Sequence, residues 1–375
     1  MKKICIVVAS DMTITSFLML HLAALCKHYE VTVVANTRAD LLATSGLDVR
    51  VIPVAIQREI SPWLDLLALW HLWRLFRRER FASIHSITPK AGLLAMVAGW
   101  LARVPVRIHS FSGQVWATRR GLMRGLLKSM DKITVMSATH LISDSESQCS
   151  FLEQEGVIRA EKVVVPAKGS ISGVDLQRFH PDVQRRASVR QDLAIGDSTL
   201  VFLFLGRLKR DKGVIDLAKA FCRFVPQAMQ DVAMLIVGPD EDGLQDELAA
   251  LAENCAGRIH ILPFTSHPEH FMMSADVFCL PSYRESFGIT VVEAAACGIP
   301  AIGSRVYGIT DAIVEQETGS LFTLGDIDDL ARKMAEMQDA SKRLPMGERA
   351  RKRAESDFSS DRVTAAWLDF YEANF

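Results

Sequence analysis

Short runs of β-branched and other apolar residues recur along the chain, and each run is followed by a segment with helical apolar spacing. Alternation of strand and helix predicts right-handed βαβ units, and therefore a parallel sheet covered by helices on both faces. In the first part of the chain the predicted strands are residues 4–9, 31–35, 49–54, 84–85, 106–109, 141–143 and 163–165.

The same pattern restarts after a connecting stretch, residues 166–181, which contains Gly169 and Gly173 and has a proline at each end. A chain of 375 residues is long enough for two domains. We therefore predict two doubly wound α/β domains, residues 1–170 and 171–359, rather than a single barrel. A last helix, residues 360–375, can pack on either domain, including back on the first. The predicted strands of the second domain are residues 200–205, 233–237, 258–262, 277–280 and 300–302.

Composition excludes several other classes of protein. With 49% hydrophobic and 23% charged residues the chain matches ordinary globular proteins, which argues against disorder, collagen and coiled coils. The seven cysteines are scattered and include no C-x-x-C pair, which favours a reducing compartment. The longest uncharged apolar stretch of the first half, residues 91–102, is shorter than the roughly 20 residues of a membrane-spanning helix. The apolar run after Lys2 and Lys3 ends at Asp11, so we interpret it as a strand rather than a secretory signal.

The net charge of −1 conceals two opposite halves. Residues 1–180 contain 22 basic and 14 acidic residues, a net +8, whereas residues 181–375 contain 21 and 30, a net −9. The near-zero total argues against a general nucleic-acid binder, and we expect no nucleic acid as a partner. The imbalance is steepest between residues 50 and 132, with 14 basic against 4 acidic residues.

Aromatic side chains lie beside a basic segment within this stretch. Residues 61–80 combine three tryptophans with an arginine-rich end, and a second basic cluster follows at Arg119, Arg120, Arg124 and Lys128. Such a mixture suits an interfacial helix on an anionic membrane surface. An ordinary Rossmann helix with a solvated basic end explains the same pattern, and one helix can serve both purposes.

In open α/β sheets, ligands bind beyond the carboxyl ends of the strands, so we searched the loops that directly follow strands. Residues 206–213, with the sequence GRLKRDKG, follow the strand 200–205. The two glycines allow close backbone approach, and Arg207 and Lys212 suit phosphate oxygens. A basic solvated turn is the alternative, because this is neither a Walker loop nor G-x-G-x-x-G.

The second selected loop, residues 281–288, follows the strand 277–280 and leads into a helix. Gly288 near the helix start leaves backbone N–H groups and the positive dipole end facing an anion. Glu285 and Glu293, eight residues apart, can face the same mouth, where carboxylate oxygens suit sugar or ribose hydroxyls. A helix-start glutamate plus a surface glutamate is the alternative interpretation.

Together these loops resemble the GT4 family of retaining glycosyltransferases, whose second domain carries a G-R-x4-K-G loop and an E-x7-E element. Further family signatures are matched by Gly298-Ile299-Pro300 and by Thr318-Gly319. The resemblance implies the GT-B fold, in which two Rossmann-like domains face each other across a cleft and the second holds a nucleotide-sugar donor.

The resemblance also implies roles for individual residues. Arg207 and Lys212 would hold the donor diphosphate, Glu293 the ribose and Glu285 a hydroxyl of the donor sugar. The helix start, at Phe287, Gly288 and Ile289, would contribute to donor binding. We expect no bound cofactor and no metal, because basic side chains and a helix N-terminus can stabilise the departing diphosphate. The sequence His267-Pro268-Glu269-His270 does not have the H-E-x-x-H spacing of a metal motif.

A histidine at the end of a first-domain strand is a third candidate. Taken alone, a histidine in this position is more often structural. The GT4 family, however, has a functional histidine at the end of a first-domain strand near the transferred sugar. We expect His109 to match it, with His85, at the end of the preceding strand, as the alternative.

A more specific resemblance, to one subgroup of the family, is carried by residues 88–92, 109–119 and 169–175. These segments are similar to the bacterial subgroup that builds capsule, O-antigen and protein-linked glycans on polyprenyl diphosphate. The first loop departs from the family pattern, because residues 10–15 follow the first strand in place of a Gly-Gly turn. We assign that loop no role beyond a possible hydroxyl contact.

These observations predict a cytoplasmic enzyme attached peripherally to the inner face of the cell membrane. It would transfer an N-acetylhexosamine, GalNAc or GlcNAc, from a UDP donor to a lipid-linked saccharide acceptor. A nucleotide-sugar epimerase of the same fold is the first alternative. A two-domain sugar-binding receptor and a scaffold without catalysis are weaker ones, since the receptor needs export and the scaffold has no need of the intact charged pairs.

Overall fold

The computed structural model describes residues 1–57 and 60–375, which form two compact units. The first comprises Met1–Ser172 together with Ser360–Phe375, and the second comprises Gly173–Ser359. Each unit is built on one parallel sheet, and apolar core clusters lie against both faces of each sheet. The predicted class, α/β with two Rossmann-like domains, is confirmed.

Seven parallel strands form the sheet of the first unit in the order β3-β2-β1-β4-β5-β6-β7. The strands are β1 Lys2–Val7, β2 Tyr29–Ala35, β3 Val49–Pro53, β4 Ser83–Ile87, β5 Val106–Phe111, β6 His140–Ser143 and β7 Val163–Val164. The helices are α1 Asp11–Thr13, which continues through a π-turn into α2 Met19–Leu25, then α3 Pro62–Glu79, α4 Pro89–Ala102, α5 Gly121–Ser137 and α6 Glu146–Gln154. Proline at the first position of α3 and α4 starts both helices at no cost in hydrogen bonds.

Six parallel strands form the sheet of the second unit in the order β10-β9-β8-β11-β12-β13. The strands are β8 Leu200–Leu205, β9 Val232–Val237, β10 Ile259–Leu262, β11 Val277–Leu280, β12 Ala301–Ser304 and β13 Gly319–Phe322. The helices are α7 Val183–Asp192, α8 Val214–Phe224, α9 Gln245–Asn254, α10 Pro268–Ser274, α11 Ile289–Ala296, α12 Ile309–Ala312, α13 Ile327–Glu336 and α14 Ala340–Asp357.

The strand order of each sheet reverses beside the first strand of the unit, between β1 and β4 and between β8 and β11. At such a switch point the loops that follow the two central strands diverge to opposite faces and leave a crevice for a ligand. In the second unit, the loops that follow β8 and β11 are the two loops that the sequence motifs predict to bind the donor.

The last helix, α15 Ser360–Asn374, packs against α2 of the first unit. Its apolar anchors Trp367, Phe370 and Tyr371 are buried. Trp367 stacks on the His85 ring at a centroid distance of 4.8 Å, and the hydroxyl of Tyr371 lies 2.5 Å from His85 Nδ1. The chain therefore closes the core of the first unit with its own C-terminus.

Several details differ from the sequence predictions. Strand β5 extends to Phe111, so His109 lies within the strand rather than at its end. Strand β13 was not predicted, because its residues Gly-Ser-Leu-Phe lack β-branched side chains; Gly319 is there because a Cβ would lie 2.3 Å from the carbonyl oxygen of Ala301. Cys222 and Cys255, 33 residues apart, form a disulfide between α8 and the end of α9.

The amphipathic helices of the basic stretch bury one face in the core and expose apolar and basic side chains on the other, so attachment to a membrane surface stays a prediction. Helix α3 buries four side chains in the core, yet the Trp63 residue is 73% exposed at its start. On α5, Leu122 is 95% exposed. Arg119 and Arg120 are exposed, but Arg124 and Lys128 form ion pairs of 2.7 and 2.6 Å with Glu155, so the predicted four-residue cluster is reduced to two cations facing solvent. Within the described residues, no helix has both the length and the apolar character needed to cross a bilayer.

We expect Trp367→Ala to lower the free energy of unfolding by about 3–5 kcal/mol, because it removes a large side chain from a closed core. The measurement is urea unfolding followed by circular dichroism. Asp369→Ala, on the exposed side of the same helix, should stay within about 0.5 kcal/mol of wild type. Equal stability of the two variants would contradict the packing of α15.

Candidate active site

The two loops chosen from the sequence meet at the switch point of the second unit. We call residues 206–213 the basic loop and residues 281–288 the acidic loop. They follow β8 and β11, which pair directly, and the N–H of Tyr283 donates to the carbonyl oxygen of Asp211 over 2.9 Å. Segments some seventy residues apart in sequence are thus joined through their backbones.

Gly213 permits this approach. Its φ is +70°, and a Cβ built there would lie 2.2 Å from the carbonyl oxygen of Pro281. Gly308 serves the acidic loop in the same way, since its Cβ would lie 2.7 Å from the carbonyl oxygen of Glu285. Only glycine combines a positive φ with the absence of a side chain, so the backbone geometry requires glycine at both positions.

Lys212 and Glu285 form an ion pair at this junction. The ammonium of Lys212 donates to Glu285 Oε1, which also accepts the Ser282 hydroxyl at 2.9 Å. Both side chains of the pair are largely buried, with 19% and 17% of their surface exposed. The structure therefore brings together the predicted diphosphate cation and the predicted sugar-reading carboxylate, and leaves both reachable by a ligand.

Arg207 lies at the start of the basic loop and contacts a different acid. Its Nη1 donates to Glu241 Oε2 at 3.1 Å, and Glu241 belongs to the loop after β9. Sequence inspection missed Glu241. Its position could have been predicted, because site residues follow strands and the loop Gly238-Pro239-Asp240-Glu241 comes directly after β9.

The helix α11 begins at the end of the acidic loop, with Gly288 as its N-cap at φ +85°. The first amides of a helix have no partner within it, so those of Ile289 and the next residue can face an anion. The ring of Phe287 is buried 5.1 Å from that of Phe358, in the core. Phe287 can therefore meet a ligand only through its backbone.

Glu293 lies one helical turn further along α11, with charged neighbours of its own. Its pKa is raised to about 8, mainly by burial; the cation of Arg178 lowers the pKa and the carboxylate of Glu269 raises it by smaller amounts. Glu293 is therefore largely protonated at neutral pH and can donate as well as accept a hydrogen bond. Its neighbours are not those of Glu285, so a common mouth for the two carboxylates stays a prediction.

His109 is fully enclosed in the first unit. Its Nδ1 lies 2.9 Å from the Ser86 hydroxyl, and its ring packs so closely on Gly92 of α4 that a Cβ there would lie 2.3 Å from Cε1. Burial lowers the pKa of His109 to about 3, so the imidazole is neutral at physiological pH. A neutral ring can orient a hydroxyl but cannot supply a proton.

His85, the alternative histidine, has a structural environment. One ring nitrogen contacts Tyr371 and the other lies 2.8 Å from the Ser110 hydroxyl, while Trp367 covers its face. Both nitrogens are therefore occupied by side chains of the core. Both histidines are buried in the first unit, so the choice between His109 and His85 as the functional residue stays a prediction.

Two further sequence features can now be placed. Residues 10–15 form the start of α1 and its π-turn, where Ser10 and Thr13 hydroxyls lie 3.3 Å apart. His267, Glu269 and His270 bring three potential ligand atoms within 4.8 Å of one another. Arg178 donates to the same Glu269 carboxylate at 2.8 Å, so that group already balances a cation.

Two Rossmann-like units, with a basic and an acidic loop at the switch point of the second, form the arrangement that the resemblance to the GT-B class implied. Residues 185–353 match the protein family described as "Glycosyl transferases group 1". Residues 15–168 match the family described as "Glycosyl transferase 4-like domain". The chain belongs to the group 1, GT4-like glycosyltransferase family, as the sequence motifs predicted.

Individual relatives agree with this assignment. The chain is 30% identical to the capsular polysaccharide biosynthesis glycosyltransferase CapM of Staphylococcus aureus, over 89% of this chain and 87% of that protein. It is 27% identical to the UDP-Gal:alpha-D-GlcNAc-diphosphoundecaprenol alpha-1,3-galactosyltransferase of Escherichia coli, over 75% and 73% of the two chains. The crystal structure of Anabaena HepE in complex with UDP-glucose has the same fold, with a TM-score of 0.80, 20% identity and full coverage of both chains.

The raised pKa of Glu293 predicts a pH-dependent stability. Between the ordinary value of 4.5 and about 8 the folded state binds a proton that the unfolded state has lost, so stability falls as pH rises through that window. Glu293→Gln has no such proton. We expect the variant to gain at least about 3 °C in Tm over wild type when the pH is raised from 5 to 8.

Differential scanning calorimetry at both pH values measures this difference. The matched control is Glu253→Gln, which changes an exposed glutamate of α9 and should follow the wild-type pH dependence. If the Tm of Glu293→Gln declined in parallel with that of wild type, the burial of an uncharged Glu293 would be refuted.

Proposed function

We propose that this enzyme is a retaining transferase that moves an N-acetylhexosamine, GalNAc or GlcNAc, from a UDP donor to a polyprenyl-diphosphate-linked saccharide in surface-glycan biosynthesis. The observation that carries the proposal is the pairing of Lys212 with Glu285 at the switch point of the second unit. Glycosyl transfer needs one group for the departing diphosphate and one for the sugar, adjacent to each other, and these two side chains are in contact.

The donor diphosphate would bind between Arg207, Lys212 and the N-terminus of α11. There it replaces Glu285 as the partner of Lys212, and the freed carboxylate accepts a hydrogen bond from a hydroxyl of the donor sugar. When the bond from the sugar C1 to the phosphate oxygen breaks, negative charge builds on that oxygen. The fixed cations and backbone amides stabilise this charge where it develops, without a metal ion.

The acceptor hydroxyl would attack C1 from the face that the diphosphate leaves, and its proton would pass to the departing phosphate oxygen. This route needs no protein base. It fits a His109 whose pKa of about 3 keeps it neutral: the ring would hold a donor-sugar hydroxyl near the reacting centre and take no part in proton transfer.

Nucleotide and acceptor are inferred from the relatives. The Escherichia coli enzyme named above uses a UDP-sugar and an acceptor on diphosphoundecaprenol, and the Anabaena protein binds UDP-glucose. The N-acetylhexosamine is inferred from the resemblance of residues 88–92 and 109–119 to the polyprenyl-linked subgroup. A panel of UDP-GalNAc, UDP-GlcNAc, UDP-galactose and GDP-sugars, with release of the nucleotide and the labelled lipid product both measured, distinguishes these donors.

In that assay Lys212→Ala should reduce turnover by at least about 100-fold, because it removes a charge that stabilises the leaving group in the transition state. Lys219→Ala, on the exposed face of the adjoining helix α8, should retain wild-type turnover. Undiminished transfer by Lys212→Ala would refute the diphosphate assignment. Conversion of the UDP-sugar without any acceptor would favour the epimerase instead.

We further propose that the first unit attaches peripherally to the inner, cytoplasmic face of the cell membrane, where the lipid-linked acceptor is embedded. Helix α4 packs against both α3 and α5, so the three helices form one layer. This layer exposes a mixture of large apolar and basic side chains. Its most exposed apolar members are Trp63, Leu66, Trp100, Leu122 and Met136, and the neighbouring cations include Arg74, Arg77, Arg119 and Arg120.

Anionic vesicles test this surface. Arg119→Ala/Arg120→Ala should weaken binding to phosphatidylglycerol vesicles by about tenfold or more, since each cation near the surface contributes about 1 kcal/mol. Lys342→Ala/Lys352→Ala removes two exposed cations from α14 of the second unit and should have no effect. Binding that is indifferent to anionic lipid and to salt would exclude the membrane attachment and leave the transferase assignment intact.

A further inference from the structure

The cations of the basic loop are already paired with carboxylates. Arg207 contacts Glu241 at 3.1 Å, and Lys209 lies 3.5 Å from the same carboxylate and 3.2 Å from Asp242. Arg210 pairs with Glu247 at 2.9 Å. Carboxylates offset the repulsion among these cations when no ligand is bound, but a carboxylate that stays in place also weakens the attraction of the site for a diphosphate.

Glu241 is held beside Arg207 by its backbone. Its N–H donates to the carbonyl oxygen of Leu208 at 3.2 Å, and the N–H of Leu208 donates to that of Pro239 at 2.8 Å. Gly238, at φ +151°, brings the two loops together, since a Cβ there would lie 1.9 Å from the carbonyl oxygen of Gly206. The loop after β9 and the basic loop are therefore fixed together, and the carboxylate of Glu241 stays next to the predicted diphosphate site.

The charge of the bound nucleotide changes during glycosyl transfer. A nucleoside diphosphate sugar carries two negative charges, one on each phosphate. Release of the sugar leaves a terminal phosphate whose second ionisation has a pKa of about 6, so the free nucleoside diphosphate carries nearly one more negative charge at pH 7.5. A fixed carboxylate at the site therefore repels the product more strongly than the substrate.

We propose that Glu241 is a specificity-determining residue that lowers the affinity for the released nucleoside diphosphate relative to the sugar donor, and so favours product release. The inference rests on the proposed function of the basic loop as the diphosphate site. It adds an acidic residue to a site otherwise described by its cations. Glu241 acts through its charge, whereas a purely positioning role would depend on its hydrogen bond to Arg207.

Calorimetric titration of the full chain with UDP and with UDP-GalNAc at pH 7.5, without acceptor, tests the proposal. Glu241→Gln keeps the shape and an acceptor oxygen for Arg207 but removes the charge. We expect it to tighten UDP binding by about 2- to 5-fold, the effect of one surface charge, and to tighten UDP-GalNAc binding less. The dissociation constant of UDP then falls relative to that of UDP-GalNAc.

Three controls separate the effect of the Glu241 charge from an effect of its position. Glu247→Gln removes the same charge beside Arg210 and should leave the ratio unchanged. At pH 5.5 the terminal phosphate of UDP is mostly protonated once, so the shift in the ratio caused by Glu241→Gln should shrink to less than twofold. Glu241→Ala, which removes both charge and hydrogen bond, should shift the ratio in the same direction as Glu241→Gln.

A loss of affinity for both ligands in Glu241→Gln would assign Glu241 to positioning alone and overturn the proposal, as would equal tightening of both. Failure of the proposed function has a different signature: wild-type protein would not bind UDP, or Arg207→Gln would bind it as tightly as wild type. In that case both the diphosphate site and the inference built on it are wrong.

Discussion

The approach of the Gly213 backbone to the carbonyl oxygen of Pro281 is the constraint on which the candidate active site depends. Strands β8 and β11 are neighbours at the reversal point of their sheet, so the loops that follow them begin side by side. Without a Cβ at Gly213 the loops touch, and Lys212 reaches Glu285. The loop predicted to bind phosphate and the loop predicted to bind the sugar therefore form one candidate site, because Gly213 lies against Pro281.

Charge compensation is the second organising feature of the site. Cations assembled for a diphosphate repel one another when the ligand is absent, and carboxylates beside them offset that repulsion. Glu285 does so for Lys212 and Glu241 does so for Arg207. The buried His109 and the half-buried Glu293 follow a different rule, because desolvation keeps the imidazole neutral and the carboxyl group mostly protonated at neutral pH. Such neutral groups suit the recognition of sugar hydroxyls, which carry no charge.

Much of this arrangement could be predicted from the sequence, because strand periodicity and the position of loops after strands are local properties. Strands 200–205 and 277–280 have the predicted bounds, and the loops that follow them form the candidate site. Features that depend on tertiary contacts could not be predicted. Glu155, in a different segment from α5, pairs with two cations that the sequence had assigned to the membrane surface. The disulfide between Cys222 and Cys255 likewise joins two helices, and the spacing of these two cysteines in the sequence matches no recognisable motif.

The most direct test of the central claim, that the donor diphosphate binds where the basic and acidic loops meet, is a crystal structure of the full chain with a UDP-sugar. We predict phosphate oxygens about 3 Å from Lys212 Nζ, from the guanidinium of Arg207 and from the first amides of α11. Glu285 should have exchanged Lys212 for a sugar hydroxyl. A diphosphate bound away from these groups, with the pair between Lys212 and Glu285 intact, would contradict the account.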